Sequence, residues 1–275
     1  MDIVKQLELE FSLKPWQVEN TVKLIDDGNT IPFIARYRKE ATDSLDDQLL
    51  RELNDRLNYL RSLEEQKEKI IASITEQEKM TDDIAKSIEN AKTMTELEDI
   101  YRPFRPKRKT RASVAKALGL EPLAEAIYAQ EKGTPAPEIL AEDYLTDEMP
   151  DIESALQGAK DIIAELVSDD PNGRKLIRYA VHNNGMLTSK GADDDLGVYE
   201  MYKEYSEPVK SIAGHRVLAV NRGEKEGKLK VAIEFDKTIA TDLLFNIHCK
   251  NNTKATDLVI EAVEDSFSRL IFPSI

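Results

Sequence analysis

From Asp46 to about Glu78 the chain contains neither glycine nor proline, and Leu49, Leu53, Leu57, Leu60, Leu63, Ile70 and Ile74 recur at mostly three- and four-residue steps. Glycine and proline are the residues that most readily end a helix, and that spacing gathers the apolar side chains into one stripe. The stretch predicts one long helix. Unbroken, it spans roughly 50 Å at about 1.5 Å per residue, longer than a small domain is wide. Such a helix acts as a spine that holds two ends of a molecule apart. On its outward positions acids precede bases by four residues (Asp47 and Arg51, Glu52 and Arg56, Glu65 and Lys69), the favourable orientation for helical pairs and the pattern of a solvated face.

The segments on either side are organised around this spine. Upstream, Ile3, Leu7 and Phe11 share one face of a first helix, Pro15 opens a second with Val18, Val22 and Ile25 inside, and Gly28 ends it. Pro32 suits the first turn of a third that carries Phe33 to Lys39. Residues 1–45 therefore predict a helix-turn-helix-like unit. The arrangement serves packing and DNA recognition alike, and packing is preferred because the sequence shows no exposed recognition face. Phe33, Ile34 and Tyr37 are expected to be buried, and Arg36 or Arg38 to pair with Asp46 or Asp47. On a continuous helix residues 36 and 39 share a face while 38 lies well round from 36, so these bases predict no single patch.

Downstream, short helices are expected at 82–90, at 95–100 with Thr95 and Glu98 in capping-box spacing, and at 112–118, 122–130 and 137–144. A longer one runs from Asp151 to Val167, and Asp170-Pro171 caps and opens another that ends at Gly185. Residues 46–210 thus predict a long helix followed by a helical array. After His215 the pattern shifts to alternation: Val217, Ala219 and Asn221, a turn over 222–227, then Leu229, Val231, Ile233 and Phe235. Residues 211–275 are read as a β-hairpin with C-terminal helices, and the fold class is mainly α.

One strip reverses the local charge. Arg102, Arg105, Lys107, Arg108, Lys109 and Arg111 follow one another with no acid between them, in a chain whose net charge is −14. That net charge argues against whole-surface binding to nucleic acid or an anionic membrane, so any such contact must be local. Pro103 and Pro106 predict an extended connector, with Arg102 and Arg105 kept out of the α region. Cations interleaved with Tyr101 and Phe104 suit a phosphate backbone with a base stacked alongside. The other reading is a loop lying over the acidic faces of its own helices, its aromatics anchored in the core.

Four blocks resemble a known family: NTIPFIARYRKEATDSLDDQLLREL from Asn29, LEDIYRPFRPKRKTRASVAKALGLEPLA from Leu97, HRVLAVNRGEKEGKLKV from His215, and the ending RLIFPSI. In this order they are similar to the N-terminal region of the bacterial transcription accessory protein Tex family. Asp43 stands where the family usually has Gly after Thr42, and VYEMYKEYSEPV from Val198 is a looser version of a Lys-rich, aromatic-rich family stretch. The resemblance implies that the chain is the N-terminal part of a longer protein, continuing into an RNase H-like YqgF domain, a helix-hairpin-helix pair and an OB-fold RNA-binding domain. It also implies RNA or single-stranded DNA as partner, bound mainly through those domains, with RNA polymerase or ribosome-associated machinery as protein partners.

Catalytic signatures are absent from the sequence. His182, His215 and His248 have no metal-ligand spacing, and Asp193-Asp194-Asp195 lacks the ligand ladder and terminal Glu of a calcium loop. The loop from Gly223 to Lys228 is one residue short between its glycines for a phosphate loop and has Leu229 where Ser or Thr would hold magnesium. No catalytic, cofactor-binding or metal residue is assigned, and no cofactor is expected. Cys249, the single cysteine, excludes an intramolecular disulfide, and the N-terminus lacks signal-peptide character, which together point to the cytoplasm. The leading reading is a non-enzymatic scaffold in transcription or RNA metabolism. Its rivals are part of a nuclease or hydrolase whose catalytic domain lies beyond residue 275, and a protein-interaction module that makes no nucleic-acid contact.

Overall fold

The computed structural model describes residues 2–106 and 109–275. It is mainly α-helical with a small three-stranded antiparallel sheet, and it divides into two compact units, one ending at Phe104 and one running from Arg105 to Ile275.

The first unit holds α1 (Ile3–Phe11), α2 (Pro15–Asp26), α3 (Ile31–Tyr37), α4 (Lys39–Thr42), α5 (Asp47–Glu76), α6 (Asp82–Asn90) and α7 (Met94–Tyr101). The spine is α5, 30 residues long and so about 45 Å. Its buried stripe is Leu50, Leu53, Leu57, Leu60, Leu63, Ile70 and Ile74, with Leu49 only half-buried at its margin. The stripe passes through three clusters in turn. Leu50 meets Ile34 and Leu45; Leu53, Leu57 and Leu60 meet Leu7 and Val18; Leu63, Ile70 and Ile74 meet Ile88 and Leu97. Each such side chain, fully removed from water, contributes about 1.5–3 kcal/mol before entropy is counted.

Ion pairs fasten the spine to its neighbours. Asp47–Arg51 and Glu65–Lys69 pair along the helix at 2.6 and 2.7 Å, as the spacing predicts. Arg56 does not pair with Glu52; it makes a bidentate bridge to Glu10 on α1, at 2.6 and 2.7 Å. Arg61 does the same with Asp26 at the end of α2, at 2.7 and 2.8 Å. The reason is geometric: a carboxylate presented by a packed neighbouring helix fits the guanidinium fork edge-on. Both carboxylates are held below their usual range, chiefly by these hydrogen bonds. Capping of α7 also differs from the expected Thr95 and Glu98. Thr93 caps it, accepting from the Glu96 amide at 3.1 Å, while the Glu96 carboxylate accepts from the Lys92 amide at 3.0 Å.

Asp43 takes up a backbone conformation that glycine adopts most readily. It ends α4 in the left-handed region at φ 59, ψ 38, and Ser44 follows at φ 63. Aspartate tolerates this region better than most residues, and its exposed carboxylate sits 3.5 Å from Lys14.

The second unit is built around α11 (Ile152–Ser168), which packs against α8 (Arg111–Ala117), α9 (Glu121–Ala129), α10 (Pro137–Glu142), α12 (Pro171–Asn184) and α15 (Lys254–Asp265). Gly158 permits the approach of α11 to α9, since a Cβ there would lie 2.3 Å from the Leu120 side chain. The sheet has the order β2-β1-β3, from β1 (Met186–Gly191), β2 (Glu204–Pro208) and β3 (Leu229–Glu234), both pairings antiparallel.

The expected first hairpin strand is not a strand. Residues 217–221 lie inside α13 (Gly214–Lys225), and β3 pairs with β1 instead. Val217 to Val220 are four apolar residues in succession, a run that carries no period. The decisive positions are the buried Val220 and Gly223, three apart as a helix requires, against Tyr199 and Leu229.

A buried polar knot joins three helices of this unit. His248, at the end of α14 (Lys237–His248), is 2% exposed; its Nδ1 lies 2.8 Å from the Tyr128 hydroxyl on α9. Its Nε2 has no hydrogen-bond partner and lies 3.6 Å from Asp170, the N-cap of α12. The Gln130 amide donates to the His248 carbonyl at 2.7 Å. Burial lowers the His248 pKa, the Lys250 charge adds to that, and Asp170 opposes it.

Two predictions follow from these positions. Asp43→Gly raises stability by about 0.5 kcal/mol because relief of left-handed strain outweighs glycine's added chain entropy, whereas Asp43→Val lowers it by about 1 kcal/mol or more; urea unfolding of both variants checks the order. Burial disfavours the charged form of His248 in the fold, while the unfolded chain takes up its proton near the ordinary value of 6.5. Its contribution to stability is therefore full above that pH and is lost as pH falls below it. The unfolding midpoint should drop as pH falls below about 6.5, and His248→Gln should flatten that part of the profile.

Candidate nucleic-acid interface

The basic strip begins where the spine ends. Tyr101 closes α7 and its hydroxyl is hydrogen-bonded to Ser73 at 3.0 Å; the Gln77 amide donates to the Phe104 carbonyl at 3.1 Å. Both rings pack beside Leu63, Ile70, Ile74 and Leu97. The two aromatics of the strip are thus anchors on α5 and not free faces for a base to stack on.

Arg102 departs from the expected extended backbone. It lies in the α region at φ −52, ψ −43, and α7 passes through it into a 3-10 turn over Arg102–Phe104. The bond from its amide to the Glu98 carbonyl and the seating of Tyr101 and Phe104 on the core outweigh the preference imposed by Pro103. Arg102 is half-buried and engaged by a neighbouring group.

Arg105 and Lys109 are exposed, and Arg111, placed by the sequence in the connector, is the exposed first residue of α8. Lys107 and Arg108 lie outside the described residues. Arg105, Lys109 and Arg111 form no ion pair among the described residues. Beside them Thr110 caps α8, accepting from the Ser113 amide at 3.0 Å while its hydroxyl donates to Glu165 at 3.1 Å. Arg111 borders a groove of about 710 Å³ between α8 and α11 whose other charged residues are Asp151, Glu153 and Asp161. Hydrogen bonds from the Ser154 amide and hydroxyl hold Asp151 below the usual carboxylate range, and Asp161 accepts from Arg269 at 3.2 Å. That groove does not favour an anion.

The remaining sequence candidates are accounted for locally. The acidic triplet is a turn in which Lys228 bonds the Asp193 carboxylate at 2.7 Å and the Asp195 carbonyl at 2.8 Å. It borders an open groove of about 920 Å³ over β1 and β2 where Lys190 and Lys203 are outnumbered by Asp193, Asp194, Glu204 and Glu234. Of the glycine-rich loop, Gly223 is buried within α13 and only Gly227, at φ 73, makes the turn. His182, His215 and His248 sit on α12, α13 and α14 respectively.

A second basic surface was not expected. Neither Arg36 nor Arg38 pairs with the start of α5, because Asp46 caps that helix through the Leu49 amide at 2.8 Å and Asp47 holds Arg51. Ile34 is fully buried as expected, but Phe33 is only half-buried and Tyr37 is 66% exposed. The two rings pack at 5.3 Å, and the Arg38 guanidinium lies 5.0 Å over Phe33. The helix breaks at Arg38, φ −128 and ψ 29, which turns that side chain back over the ring instead of round the helix. Phe33, Arg36 and Tyr37 share one face by their spacing, so aromatic and basic groups converge where a continuous helix would have scattered them. The signal was present in the spacing of Phe33 and Tyr37. A seven-residue helix has two apolar stripes here, however, and the sequence does not say which of them meets Leu50.

Comparison with known proteins places these features. Residues 1–75 match the Tex-like protein N-terminal domain and residues 132–266 the Tex central region-like family. The Bacillus subtilis uncharacterized protein YdcI is 44% identical over 98% of this chain and 38% of its own length. The Neisseria gonorrhoeae transcriptional accessory protein Tex is 40% identical over 86% of this chain and 31% of its own length. The S1 RNA-binding domain-containing protein 1 of Pongo abelii is 30% identical over 99% of this chain and 29% of its own length. The chain spans less than two-fifths of each of these relatives.

Proposed function

This chain belongs to the Tex family of transcription accessory proteins, and on that premise we propose that it is a non-enzymatic helical scaffold that carries a phosphate-binding strip. The strip is Arg102, Arg105, Lys107, Arg108, Lys109 and Arg111. The observation that carries the reading is that Arg105, Lys109 and Arg111 are exposed and form no ion pair among the described residues, although the chain carries a net charge of −14. Carboxylates of both units are engaged elsewhere, as helix caps on Asp46 and Asp151 and as bridges on Glu10 and Asp26. Cations left unneutralised in an acidic protein make a local attractor for a polyanion.

RNA or single-stranded DNA is the partner we assign to it, supported by the RNA-binding name of one relative. The strip adds weak, sequence-indifferent affinity in the cytoplasm to whatever the rest of a longer protein supplies, and the helical surfaces are available to the transcription machinery.

Salt dependence tests the proposal. Each phosphate neutralised on a single strand releases about 0.7 counterion, so three or four contacts give a log-log slope of roughly −2 to −3. Changing Lys107, Arg108 and Lys109 to Ala should flatten that slope by about one to two units without altering helical content. An unchanged slope, or loss of the fold, would make the strip a clasp on its own acidic helices and assign nucleic-acid binding to other parts of the protein.

A further inference from the structure

We propose that the face of α3 and α4 carrying Phe33, Arg36, Tyr37, Arg38 and Lys39 is a second contact site, a stacking platform for a base of single-stranded nucleic acid flanked by phosphate-binding cations. It is separate from the basic strip and does not depend on that reading.

Three observations converge on it. The Tyr37 ring is 66% exposed although its neighbour Ile34 is fully buried, and the half-buried Phe33 ring packs beside it at 5.3 Å. The buried Ile34 fixes the helix beneath the ring, and Phe33 lies against one side of it. A preordered aromatic loses little freedom when a base stacks on it, and every base has a face to offer.

The second observation is charge. From Thr30 to Lys39 the sequence holds Arg36, Arg38 and Lys39 and no acid. All three are exposed, and none forms an ion pair among the described residues; the Arg38 guanidinium instead donates to the Tyr37 carbonyl at 3.2 Å and covers Phe33. Among the nearby acids Asp43 lies beside Lys14, Asp46 is in a cap and Asp47 is on Arg51; Glu40, exposed next to Lys39, offsets one of the three positive charges.

The third is the break at Arg38. Had α3 continued, Arg38 would have turned away from Phe33 and Tyr37. With the break, guanidinium and rings share one surface, the combination that suits a backbone phosphate beside a stacked base. A protein partner would be expected to cover an apolar patch, whereas here the aromatics are ringed by cations, so the polyanion is the better match.

The surface is small, so it favours a single strand over duplex and reads little sequence. Stacking uses the base face and the phosphates alone, so RNA and DNA of equal length should bind alike.

Fluorescence anisotropy of the whole chain with short labelled oligouridylate, oligothymidylate and a duplex tests this. Tyr37→Ala should weaken both single strands about tenfold and leave the duplex unchanged. Its salt slope should stay that of the parent, since no charge is removed, while Arg36→Ala with Arg38→Ala should flatten the slope by about one. Tyr37→Trp should restore single-strand affinity. Emission from Trp16, the one tryptophan of the parent and part of the same unit, reports that Tyr37→Ala and the double Arg variant keep the fold. Parental affinity in Tyr37→Ala overturns the proposal, and if the change at Lys107, Arg108 and Lys109 still weakens binding, the strip stands without it. Parental binding in both variants overturns both readings. Loss of a protein partner from Tyr37→Ala with unchanged single-strand affinity also overturns it, in favour of a protein-docking face.

Discussion

Burial of one apolar stripe along α5 is the interaction on which the first unit depends. Three clusters that would otherwise be separate small cores are strung along it, each completed by spine residues: Leu50, then Leu53 to Leu60, then Leu63 to Ile74. None of these clusters is large enough to order its helices alone, because an isolated short helix is marginal in water. The stripe also sets the spacing, within this unit, of α3 and the seat of Tyr101. Leu50 seats Ile34 and hence α3, while Ser73 and Gln77 hold Tyr101 and the Phe104 carbonyl. At about 1.5 Å per residue those attachment points are roughly 35–40 Å apart.

Charge refines what burial establishes. Arg56 and Arg61 reach from the spine to Glu10 and Asp26, and bidentate geometry fixes how α1 and α2 lie against it. Such half-exposed pairs add modest stability each. Their larger consequence is distribution. Bridges and caps take Glu10, Asp26, Asp46 and Asp47, and Arg36, Arg38 and Lys39 of the α3–α4 face and Arg105, Lys109 and Arg111 of the strip form no ion pair among the described residues.

Much of this was legible in the residues, and the failures share a cause. The spine, its length, and the cap at Asp170 follow from spacing and from the local chemistry of helix ends. What was misread turned on tertiary context. Val217 to Val220 fit a strand or a helix until the positions of Tyr199 and Leu229 are known. Arg102 entered the α region because packing on both sides of it overrode a local proline preference. Arg56 chose a partner on another helix over one on its own. Tyr37 was assigned to the core because it is aromatic, and only the seating of Ile34 against Leu50 shows that its side of α3 faces outward. The strip was visible as charge, but its aromatics became anchors, a role no count of residues could assign.

The account stands or falls on the spine being one rigid helix. Spin labels at the exposed positions Gln48 and Glu76, with Cys249 replaced by Ser, measure it directly by pulsed electron resonance. An unbroken helix places them about 40–45 Å apart in a single narrow distribution. A shorter or two-peaked distribution would mean that α5 bends or breaks, and the fixed spacing between α3 and the seat of Tyr101 would be lost with it.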